Sequence, residues 1–217
     1  MTTFYLLRHA HSQANSEGIL AGRIPDIHLS TIGRKQAKAL TGIGLKIDIV
    51  VSSPLERCME TVKAFATSVR KPVIESTAFL EMNYGDWSGA KLKSLARKRD
   101  WQKVRKEPSR FTFPNGESFS AAEQRVITEL KRLNRKYPQK RILIVSHGDI
   151  IKMAINATLD LPLDRFQRII VDPASLSAVE WNAKQKSLLH LNLPTSKYAQ
   201  TQARLSARAT IGGGSNV

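Results

Sequence analysis

The sequence has a single cysteine and no long apolar run, and both shortages limit what kind of protein it can be. Cys58 stands alone among 217 residues, so no internal disulfide can form, and a reducing compartment is expected. We expect Cys58 to be a small core residue. No segment approaches the roughly 20 apolar residues that span a bilayer, and the N-terminus lacks the features of a signal peptide. The chain is therefore predicted to be cytoplasmic, with no membrane partner.

Acidic residues are also scarce. The chain has 18 Asp and Glu against 34 Lys and Arg, a formal net charge of +16. The excess is concentrated in residues 91–110, which hold nine Lys or Arg and two Asp or Glu. Such an imbalance favours an anionic substrate or partner, or else a very soluble surface. Residues 194–217 have few large apolar groups and a glycine run, so we predict a disordered basic tail after a domain over 1–193.

Short apolar runs that end in polar loops, each followed by a helical pattern, predict an α/β fold with a mostly parallel sheet flanked by helices. A hairpin is predicted near the end of the domain, at one edge of the sheet. Ser53 and Pro54 are expected to cap and begin the second helix. The predicted strands are 3–7, 47–51, 142–145, 176–182 and 187–193, and the predicted helices are 31–41, 54–68, 120–137 and 148–159.

Cationic and imidazole side chains follow three of these strands. Arg8 and His9 come directly after the first, Arg57 follows the second by a few residues, and His147 follows the third. Because ligands bind beyond the carboxyl ends of the strands in open α/β sheets, we expect these four side chains to meet at one edge. Guanidinium and imidazole groups together suit a doubly charged phosphoryl group.

Several motifs in a fixed order carry a family resemblance. They are LRHAHSQAN at 7–15, LSTIGRKQA at 29–37, SSPLERCMET at 52–61, LEMNYGDWSG at 80–89, NGESF at 115–119 and SHGD at 146–149. Ordered motifs are far more specific than any one alone. Over about residues 3–190 the sequence resembles the histidine phosphatase superfamily, the phosphoglycerate mutase-like group, which implies a phosphoglycerate mutase-like fold.

The resemblance also implies a role for each matching residue. His9 corresponds to the nucleophile that becomes phosphorylated, and Glu81 to the usual proton donor. Asn15 corresponds to a residue at the entrance of the pocket. The remaining implied phosphate-binding residues are Arg8, Ser12, Arg57, His147 and Gly148. One departure is Ala10, which replaces the glycine that the family has after the nucleophilic histidine. Alanine is compatible there if the backbone has negative φ.

The chemistry can also be argued from the residues. The chain has no GxxxxGK[ST] pattern and no acidic cluster for Mg²⁺, so arginine and histidine must stabilise the transferring phosphoryl group. Nearby Arg8 and Arg57 should keep His9 neutral, as a nucleophilic imidazole must be. The same cations should keep Glu81 ionised until a bound phosphate dianion cancels their field and lets it accept a proton.

Metal and nucleic-acid sites are not expected. His9 and His11 have the His-x-His spacing of metal hydrolases, but no matching cluster of further ligands accompanies them. We therefore expect no metal and no other cofactor. Met82, Tyr84 and Trp87 are expected to pack beside their loop, and no RNA-binding aromatic motif is present, so no specific nucleic-acid partner is expected.

Three functions remain open. The first is a metal-independent phosphatase acting on a small organic phosphate monoester, the second a phosphomutase of the same family, and the third a catalytically weak polyanion-binding protein. The segment between Glu81 and Gly116 lacks the longer insert that the family's mutases share, which favours the phosphatase. We expect the basic insert at 82–118 to cover the pocket as a lid, with Arg97, Lys98 and Arg99 binding a second anionic group of the substrate. The sequence indicates no oligomeric state.

Overall fold

Six strands form one sheet in the computed structural model, which describes residues 1–182 and 185–195. They are Thr2–Arg8 (β1), Ile49–Ser52 (β2), Val73–Glu75 (β3), Arg141–Ser146 (β4), Ser175–Trp181 (β5) and Lys186–Pro194 (β6). Their order is β3-β2-β4-β1-β5-β6. The first four strands in that order are parallel, and β5 and β6 run antiparallel as a hairpin at one edge. The prediction of a mostly parallel sheet is confirmed.

Helices connect the strands and cover both faces of the sheet. Within the described residues the α-helices are Gln13–Glu17 (α1), Thr31–Ala39 (α2), Glu56–Ser68 (α3), Leu92–Leu95 (α4), Arg99–Lys106 (α5), Phe119–Lys136 (α6) and Gly148–Thr158 (α7). Short 3₁₀ helices lie at Leu40–Gly42, Thr77–Phe79, Gly85–Trp87, Pro108–Arg110 and Leu163–Arg168. In this part of the chain, no helix combines the length and the apolar character that crossing a membrane requires.

The central strands read as continuous apolar runs because both of their faces are buried. Ile142 and Ile144 of β4 pack with α6 and α7 in one cluster, whereas Leu143 and Val145 pack on the other face with α3. Strand β1 alternates in the same way, with Phe4 facing the first cluster. This burial holds the carboxyl ends of β1, β2 and β4 side by side.

The predicted elements are present with shifted ends, and one local prediction is wrong. Helix α3 begins at Glu56 rather than at residue 54, and its N-cap is Leu55. Ser53 therefore does not cap the helix, and its hydroxyl instead lies 2.9 Å from Nε2 of His147. The strand predicted at 47–51 begins two residues later, at Ile49. Cys58 is fully buried in the core, as predicted.

The end of the chain is described only in part. Pro194 is the last residue of β6 and Thr195 is buried. The rest of the predicted basic tail, residues 196–217, lies outside the described residues, as do residues 183 and 184 in the predicted hairpin turn.

Candidate active site

The carboxyl ends of β1, β2 and β4 open into a cavity of about 920 Å³. His147 does not line this cavity; it is fully buried behind His9, with the two ring centroids 5.3 Å apart. The other residues implied by the motifs lie together on the cavity wall, and they are Arg8, His9, Ser12, Asn15, Arg57, Glu81 and Gly148.

His9 is held in one orientation. It follows the last residue of β1 and is 4% exposed. Its Nδ1 lies 2.8 Å from the carbonyl oxygen of Ala10. A carbonyl can only accept, so Nδ1 donates and the lone pair of the neutral ring is on Nε2. Burial, followed by the charges of Arg57 and Arg8, lowers the pKa of His9 well below its usual value. His9 is therefore neutral at pH 7, as predicted.

Each of the two arginines beside His9 has one buried donor left free by the part of the chain that the structure describes. Within the described residues, Nε of Arg8 and Nη1 of Arg57 are buried without a hydrogen-bond partner. One other nitrogen of each side chain is bound to the backbone, since Arg8 Nη1 donates to Val171 O at 2.6 Å and Arg57 Nη2 to Gly22 O at 2.7 Å. Buried charged donors without partners are costly, so this pair fits an anion bound in the cavity.

The loop after β1 is fixed from behind. The amide of Ala10 donates to Oγ1 of Thr61 at 2.9 Å, and that hydroxyl donates to the carbonyl of Arg57 at 2.6 Å. Ala10 does not have positive φ and its side chain is buried, so alanine meets the condition set for this position. Gly33 of α2 passes so close that a Cβ there would collide with the carbonyl oxygen of His11. This close approach explains the glycine in LSTIGRKQA.

Ser12 and Asn15 form the cap of α1 at the mouth of the cavity. Asn15 Oδ1 accepts from both the amide and the hydroxyl of Ser12, each at 3.0 Å, and Ser12 Oγ accepts from the Asn15 amide at 3.3 Å. The short helix α1 is thus stabilised by a reciprocal capping box.

Gly148, at the start of α7, lies against the guanidinium of Arg8.

Glu81 differs electrostatically from the sequence-based expectation. Burial and the neighbouring charge of Asp149 raise its pKa to about 7, and these effects exceed the opposing effects of Arg57 and Arg8. The prediction that the arginines keep Glu81 ionised before substrate binds is therefore wrong. Its Oε1 accepts from the amide of Met82 at 3.0 Å. Near pH 7 a substantial fraction of Glu81 already carries the proton that a general acid must supply.

Asp149 is a cavity residue that sequence reasoning missed, although it lies in the quoted SHGD motif. It accepts a hydrogen bond from the hydroxyl of Tyr84 at 2.9 Å, and Lys152 Nζ donates to it at 3.3 Å. Met82, Tyr84 and Trp87 are buried in the core, as predicted. Tyr84 thus packs in the core and also holds the carboxylate that acts on Glu81.

The basic insert contributes to the far wall of the cavity, through α5 in particular. Lining residues from the insert include Trp101, Val104, Arg105 and Lys106. Arg97, Lys98 and Arg99 do not line the cavity, so the sequence-based prediction named the wrong cations of this segment. Two further arginines line it from the 3₁₀ helix before β5, and they are Arg165 and Arg168. No sequence motif singled out those two.

The His-x-His spacing does not create a cluster of ligands. His11 Nδ1 lies 2.9 Å from Ser30 Oγ, whereas His9 Nδ1 faces the Ala10 carbonyl. Over residues 1–182 and 185–195, no three His, Cys, Asp or Glu side chains are grouped so that they could hold a metal ion. Independence from metals stays a prediction.

Known proteins resemble this chain in sequence and in fold. The family model of the histidine phosphatase superfamily (branch 1) matches residues 4–194. Phosphoserine phosphatase 1 of Hydrogenobacter thermophilus is 29% identical over 197 residues, covering 89% of this chain and 93% of that protein. The adenosylcobalamin/alpha-ribazole phosphatase of Escherichia coli is 30% identical over 199 residues, covering 87% and 94%. The structure of Entamoeba histolytica phosphoserine phosphatase with 3-phosphoglyceric acid has a TM-score of 0.80 at 25% identity, covering 88% of this chain and 97% of that one.

The chain belongs to the histidine phosphatase superfamily. It has the phosphoglycerate mutase-like fold, and it is a phosphatase of this family, a phosphoric monoester hydrolase. The family, the fold and the phosphatase activity predicted from the sequence are thereby confirmed.

Proposed function

We propose that the protein hydrolyses a small phosphate monoester in two steps, through a phosphohistidine on Nε2 of His9. The observation that carries this proposal is the position of a neutral, oriented imidazole beside the unpaired donors of Arg8 and Arg57. A phosphoryl group bound by those donors would satisfy them and would face the nucleophile. Charge-assisted pairing of arginine with phosphate supplies both affinity and orientation.

In the first step Nε2 of His9 attacks phosphorus and the bond from phosphorus to the ester oxygen breaks. Arg8 and Arg57 hold the phosphoryl oxygens, whereas His147, which the sequence also assigned to them, does not line the cavity and packs behind His9 with its Nε2 at the Ser53 hydroxyl. The leaving oxygen takes the proton of Glu81, which becomes a carboxylate. Transfer of that proton matters most for an alkyl ester, because an alkoxide is a poor leaving group.

In the second step water attacks the phosphohistidine. The Glu81 carboxylate takes a proton from the water as the new oxygen–phosphorus bond forms and the nitrogen–phosphorus bond breaks. Inorganic phosphate leaves, His9 is again neutral, and Glu81 is again protonated. The cycle needs no group besides the substrate and water.

The substrate is proposed to carry a second anionic group beside the phosphate. Arg105 and Lys106 on one wall and Arg165 and Arg168 on another give the cavity an excess of positive charge beyond the pair at His9. Two of the similar proteins are named for phosphoserine, and one solved structure holds 3-phosphoglyceric acid. Both compounds have a carboxylate near the phosphate, which suits such a cavity.

A panel of phosphate esters, assayed in EDTA with and without a bisphosphoglycerate primer, tests the function. Phosphate release that needs neither metal nor primer, and that vanadate inhibits competitively, supports the proposal. Primer-dependent isomerisation would indicate a mutase instead. Loss of activity in EDTA, restored by a divalent metal, would revive the His-x-His metal hypothesis.

Replacement of Arg165 and Arg168 by glutamine together should raise KM for a substrate with a second anionic group by roughly three- to tenfold. The expected effect is moderate because exposed ion pairs contribute about 0 to 1 kcal/mol each. The KM for nitrophenyl phosphate should hardly change. The matched control is the double replacement of Arg97 and Arg99, which removes the same charge outside the cavity. Equal KM changes for both substrates, or equal effects of both double variants, would contradict a second-anion subsite.

The pH dependence of kcat/KM for an alkyl phosphate should have two limbs. It should rise with pH through the pKa of His9, which burial and Arg57 hold well below its usual value, because the neutral ring attacks. It should fall as pH rises through the pKa of Glu81, about 7, because the proton donor is lost. Asp149→Asn removes a charge that raises the pKa of Glu81 and should move the alkaline limb to lower pH.

The control for this shift is Asp164→Asn, since Asp164 lines the same cavity but its carboxylate accepts from the amide of Ser109. That variant should leave the alkaline limb in place. An alkaline limb that does not move in Asp149→Asn, or moves to higher pH, would show that Asp149 does not set the protonation of Glu81.

A further inference from the structure

The carboxylate of Glu117 is the centre of an ion-pair cluster next to the active site. Arg125 donates to it twice, from Nε at 2.7 Å and Nη2 at 3.1 Å, and Arg23 Nη2 donates at 3.0 Å. The amide of Asn83 donates at 3.3 Å. Burial acts to raise the pKa of Glu117, but the hydrogen bond and charge of Arg125 outweigh it and lower that pKa. The cluster therefore contains an ionised carboxylate.

The same two arginines hold the backbone of Glu81. Its carbonyl oxygen accepts from Nε of Arg23 at 2.8 Å and from Nη2 of Arg125 at 3.3 Å. Arg125 Nη1 also donates to the carbonyl of Ala78, in the 3₁₀ helix that leads to Glu81. Glu117 thus orients the two side chains that fix the loop of the proposed proton donor.

The cluster also reaches the proposed phosphate site. Gly22, which directly precedes Arg23, accepts the hydrogen bond from Nη2 of Arg57. That bond is made by the backbone carbonyl of Gly22 and not by the Arg23 side chain that Glu117 holds, so the direct effect of Glu117 falls on the Glu81 loop. Glu117 itself does not line the cavity, so a substrate bound there would not touch it.

We propose that Glu117 is a positioning residue, which acts through Arg23 and Arg125 to place the carboxyl group of Glu81 over the leaving oxygen. This inference rests on the proposed role of Glu81. A protonated carboxyl has no net charge for Arg8 or Arg57 to attract, so its place must come from the backbone that carries it. An acid catalyst works only within hydrogen-bond reach of its target, and a displacement of about 1 Å can cost about 100-fold in rate.

Glu117→Gln tests the proposal, because glutamine keeps the size of the side chain but loses the charge and one acceptor. We expect kcat/KM for an alkyl phosphate to fall by about 10- to 100-fold, mainly in kcat, and kcat/KM for nitrophenyl phosphate to fall less than about threefold. A good leaving group departs without the proton, so it does not report a misplaced acid. Arg23→Gln, at the more exposed end of the cluster, should also lower kcat/KM more for the alkyl phosphate than for nitrophenyl phosphate, but by a smaller factor. We call this difference between the two substrates the leaving-group split.

The matched control is Asp48→Asn. Asp48 also binds an arginine, accepting from Nε of Arg141 at 3.3 Å and from its amide at 2.9 Å, but this pair lies at the amino ends of β2 and β4, away from the Glu81 loop. It should lose a similar amount of thermal stability and keep both activities. If Glu117→Gln proves insoluble, Arg23→Gln in the same assay tests the positioning role instead.

Two outcomes would overturn the proposal. One is an equal loss for both substrates in Glu117→Gln or Arg23→Gln, which would indicate general damage to the site. The other is no loss for either substrate, which would leave the cluster as a structural ion pair.

Glu81→Gln, measured alongside, separates failure of the positioning role from failure of the proposed function. If that variant shows the leaving-group split and the Glu117 and Arg23 variants do not, only the positioning role fails. If Glu81→Gln itself shows no split, the role of Glu81 fails.

Discussion

His9→Ala is expected to abolish phosphate release from every ester, because the variant has no nucleophile to form the phosphoenzyme. Brief mixing of the wild-type enzyme with labelled substrate should give an acid-labile, alkali-stable label on the protein. The label should be absent from the variant. Ala10 and Thr61 hold the loop through backbone and hydroxyl groups, so the fold should survive the loss of the ring.

His11→Ala is the matched control, since it removes a second imidazole from the same motif. The ring of His11 is paired with Ser30 and does not line the cavity. This variant should retain labelling and most of its turnover. Labelling that persists in His9→Ala, or disappears in His11→Ala, would contradict the assignment of His9 as the nucleophile.

Glu81→Gln is expected to lower kcat/KM for alkyl phosphates by about 10²- to 10⁴-fold, the usual contribution of a general acid. Nitrophenyl phosphate should still phosphorylate His9 at close to the wild-type rate, because nitrophenolate leaves without a proton. Hydrolysis of the phosphohistidine should become slow, because the base for the water is missing. A burst of nitrophenol that matches the enzyme concentration, followed by slow turnover, is therefore expected in rapid-mixing experiments.

The burst distinguishes this role from a purely structural one. An equal loss for alkyl and nitrophenyl esters in the phosphorylation step would show that Glu81 is not the acid. An unchanged steady-state rate with nitrophenyl phosphate would show that Glu81 is not the base.

The strength of local patterns decided which parts of the fold were predictable. Strands β1 and β4 are buried on both faces and give unbroken apolar runs, so the sequence indicates them clearly. Strand β3 has three residues, partly exposed at the edge of the sheet, and leaves no such pattern. The sequence pattern predicts too early a start for α3, because the Ser53 hydroxyl contacts His147 instead of capping the helix, and no local signal reveals that contact.

The same distinction applies to the site. Arg8, His9 and Arg57 could be placed together because they follow strands that must end at one edge of a parallel sheet. The raised pKa of Glu81 could not be predicted, because it comes from desolvation and from Asp149, which tertiary packing brings close. The nearby arginines, Arg8 and Arg57, suggest the opposite shift of this pKa. Residue types show which charges exist, whereas burial determines which of them dominate.

Interactions among segments that are distant in the sequence were the hardest to predict. The cluster around Glu117 joins Arg23 from the loop after α1 and Arg125 from α6, and it acts on the Glu81 loop from outside the cavity. Glu117 lies within the NGESF motif, which is a sequence signal for this residue. Its partners, Arg23 and Arg125, lie in none of the motifs. Arg165 and Arg168 likewise reach the cavity only through the 3₁₀ helix before β5.

The most direct measurement of the central claim is phosphorus NMR on phosphoenzyme trapped by rapid mixing with substrate and denatured in alkali, with the labelled peptide then sequenced. Nδ1 of His9 donates to the Ala10 carbonyl, so the lone pair that can attack is on Nε2. The expected result is one phosphohistidine, on Nε2 of His9, that forms and decays fast enough to account for turnover. Phosphate on Nδ1, on another residue, or no phosphoenzyme during turnover would contradict catalysis through this histidine.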